Sequence, residues 1–70
     1  MALSARNQLK GTIKSVKEGV VTAEVVVELP SGEEIVSVIT VDSVHRLGLK
    51  QGMPITAIIK ATEVLLSTER

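Results

Sequence analysis

Alternation of apolar and polar residues with period two dominates the chain and predicts strands along most of its length. From Leu9 to Val16 the mixture is loose, with Leu9 and Ile13 directed one way and Gly11 between them. Lys17-Glu18-Gly19 reads as a turn in which the glycine supplies a positive φ. The clearest strand follows, Val20 to Leu29. Val21, Ala23, Val25, Val27 and Leu29 form one face; Val20, Thr22, Glu24, Val26 and Glu28 form the other. Pro30-Ser31-Gly32-Glu33 breaks it with turn chemistry. A third strand is predicted from Glu34 to Val41, with Ile35, Ser37 and Ile39 opposing Val36, Val38 and Thr40.

After Thr40 the period changes. Val44 and Leu47 repeat at helical spacing, Gly48 sits where a helix would end, and Thr40 or Asp42 can cap the start. Gly52 and Pro54 then frame a loop. A fourth strand is predicted over Pro54–Ala61 and a short fifth over Glu63–Ser67, around Val64, Leu65 and Leu66. The result is an all-β protein, an OB-like, partly open barrel of five strands with one short helix between the third and fourth. Such a barrel needs one apolar face per strand, yet Val26, Val36, Val38, Ile58 and Leu65 lie on the second face. An apolar band of that width marks a protein interface.

Length sharpens the same expectation. Residues 1–70 make a single domain, and a chain this short buries only ~60% of the surface its unfolded form exposes. Small domains escape that limit through disulfides, a metal or self-association. The chain has no cysteine and one histidine, His45, too few ligands for a zinc site. Oligomerisation is the device that remains. Eight basic and eight acidic side chains cancel, so no global field draws nucleic acid or anionic lipid. No apolar run approaches the ~20 residues of a membrane span, and the first residues, Met1 to Arg6, lack the regions of a signal peptide. The expected location is the cytoplasm.

Three short segments hold groups suited to an anion. Ser4-Ala5-Arg6-Asn7-Gln8 offers a hydroxyl, a guanidinium and two amides; Thr40-Val41-Asp42-Ser43 places two hydroxyls at a helix start; Ile59-Lys60-Ala61-Thr62 ends an apolar strand with an ammonium. Arginine gives directional donors, lysine a compact charge, and hydroxyls complete a shell without a repelling carboxylate.

The blocks Ser-Ala-Arg-Asn-Gln-Leu with Gly11 after it, Ile-Thr-Val-Asp-Ser-Val and Ile-Lys-Ala-Thr-Glu-Val are similar, in order and spacing, to the molbindin (Mop) family of TOBE-type molybdate- and tungstate-binding domains. The resemblance spans Ser4 to about Leu66. It implies a trimer of dimers, a hexamer whose subunits exchange strands and hold molybdate or tungstate, the only form in which metal is bound, in pockets between subunits. The residues it implies for the main pocket are Ser4, Ala5, Arg6, Thr40, Ser43, Lys60 and Ala61, with Ala61 acting through its backbone N–H. The family has a second kind of site near its threefold axis; no block marks it here, and Gly19, Val20 and His45 are candidates. No ATPase or DNA-binding domain accompanies the unit, which implies the stand-alone form.

The implied function is storage and homeostasis of the oxyanion at equilibrium. Three other readings compete. An OB module for nucleic acid relies on aromatic stacking in a positively charged groove, and this chain has neither an aromatic residue nor net charge. An enzyme reading would draw on Asp42, Ser43 and His45, but neighbours one and two apart on a helix face different ways; no catalysis is expected. A purely structural oligomer is the third.

Overall fold

The computed structural model describes residues 3–68. Four strands, β1 (Asn7–Glu18), β2 (Thr22–Glu28), β3 (Glu34–Thr40) and β4 (Pro54–Ile59), form one sheet of order β3-β2-β1-β4, with helix α1 (Val41–Leu47) between β3 and β4. Every pairing is antiparallel. β1 holds the sheet together because its two halves have different partners. Asn7 to Thr12 pair with Ile59 to Pro54, and Thr12 to Glu18 pair with Glu28 to Ala23. At the changeover the register slips between Ile13 and Ser15, leaving Lys14 as the extra residue of a bulge. There the Ile13 N–H donates to the Met53 carbonyl at 2.9 Å and the Gly52 N–H donates to the Ile13 carbonyl at 2.8 Å. A bulge increases local twist, and the sheet curls into a half-barrel.

Gly11 makes that curl possible. A Cβ at this position would lie 2.5 Å from the Glu28 carbonyl oxygen and 2.8 Å from Val27 Cγ1, so only glycine lets the two backbones approach this closely.

Alternation places the core as expected on β2, where Ala23, Val25 and Val27 are buried, joined by Ile13 and by Val44 of α1. Ile35 and Ile39 of β3, Ile55 of β4, and Val16, Val41, Leu49 and Met53 pack around them, half-buried. The helix starts at Thr40 rather than Asp42: the Ser43 N–H donates to Thr40 Oγ1 at 3.0 Å. It stops at Gly48, whose φ of 66° closes the turn by N–H donation to the His45 and Val44 carbonyls. Leu47, at helical spacing from Val44, is exposed on the rim of an open groove.

Three expectations change. The turn glycine Gly19 does not adopt a positive φ; among the described residues Gly32, Gly48 and Gly52 do. Its Cβ would meet the Thr22 carbonyl oxygen at 3.0 Å, so lack of a side chain is what the hairpin uses. β4 ends at Ile59, because Ala61–Glu63 winds into a 3₁₀ turn. The fifth strand over Glu63–Ser67 is not formed, and the described sheet has four strands. The reason is physical: a strand exists through ladder pairing, and no strand of the same copy pairs with this segment.

The half-barrel is left open between β3 and β4. Val36, Val38, Leu47 and Ile58 line an apolar groove of ≈ 730 Å³ there, and Leu65 and Leu66 are 92% and 93% exposed beyond it. The exposed area is 5876 Å², where a compact monomer of 7.4 kDa would expose about 4,200 Å². The radius of gyration, 12.9 Å, likewise exceeds the about 11 Å of a compact domain this long.

Candidate functional site

The first and last polar segments meet at one end of β1. Asn7 pairs with Ile59, and continuing that register one step sets Arg6 opposite Lys60. Ser4, Ala5, Arg6, Asn7, Lys60, Ala61 and Thr62 line a cleft of ≈ 460 Å³. Among the described residues its lining holds two cations, hydroxyls and an amide, and no carboxylate. Like charges facing each other across strands repel, and among the described residues neither Arg6 nor Lys60 has an ion-pair partner. An anion seated between them would relieve that repulsion. The backbone on the Arg6 side is held locally: Gln8 Nε2 donates to the Ala5 carbonyl at 2.7 Å, and the Gln8 N–H donates to the Arg6 carbonyl at 3.1 Å. On the other side, the Glu63 N–H donates to the Lys60 carbonyl at 2.9 Å, closing the 3₁₀ turn. Ala61 is the first residue of that turn, and N–H groups at a helical start have no partner within the helix.

Thr40 and Ser43 are not in this cleft. Thr40 pairs with Thr22, beside the Glu18 end of β1, whose partner is Ala23. The twelve residues of β1 run between the two groups, a contour of roughly 36 Å at ~3.3 Å per residue that the bulge and the curl of the sheet shorten. The hydroxyls are tightly arranged where they are. Thr40 Oγ1 donates to Ser43 Oγ at 2.8 Å and accepts the Ser43 N–H. The N–H groups of the helix start are therefore partly committed, and what this end offers is hydroxyl chemistry. Arg46, which the sequence reading did not single out, donates from Nη2 to Ser43 Oγ at 3.4 Å and lies 3.9 Å from the Asp42 carboxylate. Its spacing of three from Ser43 on a helix was the available signal.

Of the second-site candidates, Gly19 and Val20 form the exposed β1–β2 tip and His45 sits on α1, with its Nε2 3.0 Å from Glu18 Oε1. No group of three or more metal-ligating side chains occurs among the described residues. No helix among them is long and apolar enough to cross a membrane.

Fold and cleft together define a small curled-sheet module, open along one side, with a cationic cleft at one strand end and a hydroxyl cluster at the other. Residues 3–66 match the TOBE domain, and the chain belongs to that family. It is 53% identical over 66 residues to molybdenum-pterin-binding protein 1 of Clostridium pasteurianum, covering 94% of this chain and 97% of that protein. Among solved structures, a molybdate-binding protein from Sporomusa ovata superposes with a TM-score of 0.91 at 41% identity, over 97% of this chain and 100% of the other. The cytoplasmic molybdate-binding protein ModG, in a form with molybdate bound, superposes with a TM-score of 0.84 at 49% identity, over 87% of this chain and 43% of that one.

Proposed function

We propose that residues 1–70 act as one molybdate-binding domain that stores molybdate or tungstate in the cytoplasm, by reversible binding and without catalysis, in pockets shared between copies. Ser4, Ala5, Arg6, Lys60 and Ala61 of one copy form the cationic half of each pocket. Thr40 and Ser43 of another copy form the hydroxyl half. The observation that carries this reading is the cleft between Arg6 and Lys60, which among the described residues has no carboxylate in its lining and no ion-pair partner for either cation, a match to a dianion. The names of the relatives supply the identity of the ion.

The need for a second copy has independent support. The two polar groups lie at opposite ends of β1, too far apart for one small oxyanion to touch both. The area exposed beyond that of a compact monomer, about 1,700 Å², is of the order of a stable interface. In the assembly, residues 63–67 of one copy enter the groove between β3 and β4 of another, so that exchanged strands complete five-stranded barrels. The assembly is a hexamer, a trimer of such dimers.

Arg6→Ala or Lys60→Ala removes one cation from a desolvated anion, a loss of ~2–5 kcal/mol in binding. Isothermal titration with molybdate should show that loss while circular dichroism stays unchanged. Wild-type affinity in either variant removes that residue from the site, and a clean monomer that binds molybdate ends the shared-pocket reading.

A further inference from the structure

We propose that Arg46 is a positioning residue that sets the selectivity of the pocket against protonated oxyanions, acting through the Ser43 hydroxyl; this rests on the reading above. A hydroxyl has one donor hydrogen and two acceptor lone pairs. Ser43 Oγ accepts from Thr40 Oγ1 at 2.8 Å and from Arg46 Nη2 at 3.4 Å. Both lone pairs are then filled, and the Ser43 hydrogen is left to point outward.

Thr40 Oγ1 accepts the Ser43 N–H and gives its one hydrogen to Ser43 Oγ, and a guanidinium is a donor that never deprotonates. The Asp42 carboxylate, 3.9 Å from Arg46 Nη1, offsets the guanidinium charge. Arg46 therefore works through its hydrogen bond more than through net charge.

A fully deprotonated dianion such as molybdate or sulfate accepts the outward Ser43 hydrogen at every oxygen. Hydrogen phosphate carries one O–H, which must find an acceptor, and at Ser43 it meets filled lone pairs. Leaving that donor unmet on binding weakens phosphate relative to a bare dianion. Removing Arg46 reopens one lone pair on Ser43 and gives the phosphate hydrogen a place to go.

The test is molybdate titration of the full chain, with competition by phosphate and by sulfate, on wild type, Arg46→Ala and Arg46→Lys. Arg46 is 70% exposed on its side chain, so the variants keep the fold. In Arg46→Ala the preference for molybdate over phosphate should fall by roughly tenfold or more, the scale of one unmet hydrogen bond. The preference for molybdate over sulfate should hold, because the Asp42 charge left behind penalises all dianions alike. Arg46→Lys, whose ammonium is also donor-only, should recover part of the lost preference. Phosphate and sulfate shifting in parallel, or neither shifting, overturns the role of Arg46 while leaving molybdate binding intact. A wild-type chain that takes up no molybdate overturns the function reading and this inference with it.

Discussion

At one end of β1, Arg6 and Lys60 stand exposed around a cleft, without ion-pair partners among the described residues. At the other end, Thr40 and Ser43 already bond each other, their backbone and Arg46. The first end supplies charge and little fixed geometry; the second supplies fixed geometry without net charge, since Asp42 offsets Arg46. Neither is a complete oxyanion shell. Under the proposed sharing between copies, each end is a half-site that association joins, and ligand affinity and assembly become one equilibrium.

The strongest way to break that comparison is to spoil the two ends in different copies. Arg6→Ala and Ser43→Ala should each bind molybdate poorly alone. Unfolded together and refolded as a mixture, they should regain about a quarter of the wild-type sites by random pairing of intact halves. Mixing Arg6→Ala with Lys60→Ala should regain none, because both lesions fall in the same half. Stoichiometry from isothermal titration reads the outcome, and no recovery in either mixture would place all the ligands in one copy.

The next effect is on the strand that separates the ends. Gly11→Ala forces a Cβ to within 2.5 Å of the Glu28 carbonyl oxygen, so β1 and β2 must move apart. Overpacking of this kind costs ~1–3 kcal/mol. The urea midpoint should drop accordingly, and molybdate should recover part of the loss by binding the folded assembly. An unchanged midpoint would mean that the curl of the sheet does not depend on this close approach.

How much of this was legible in the sequence differs between the two ends. The period-two pattern of Ala23, Val25 and Val27 identified the buried face of β2, since every second side chain of a strand shares a face. Thr40 and Gly48 were readable as caps because each residue type satisfies a backbone need at its position. The fifth strand was not legible. Val64, Leu65 and Leu66 announce strand-forming side chains, but alternation says nothing about whether a strand edge stands beside them to pair with. The bulge at Lys14 left no mark either, for it arises where β1 changes partners and meets the Gly52–Met53 loop. At the site, the pairing of Arg6 with Lys60 follows from register. The separation of Ser43 from both had no signal, because linear order does not report distance across a sheet.

The smallest expected effect concerns an ion pair that belongs to neither end. Lys14, in the bulge of β1, bonds Glu34 at the start of β3. The hydrogen bond to Glu34, then its charge, holds the ammonium above the ordinary lysine value, against a smaller opposing effect of desolvation. A cation raised in this way adds stability below its unfolded pKa, about 10.4, and the contribution fades as pH rises through the higher folded value. Wild type should therefore exceed Glu34→Gln slightly in urea midpoint at pH 7, and the gap should close above the lysine range. Added salt should narrow it at neutral pH as well, since both side chains are solvated. If the pair serves one copy only, the gap at pH 7 is the same with and without molybdate. A gap that widens on loading would tie this pair to assembly and make the half-barrel, rather than its two ends, the element that the ligand organises.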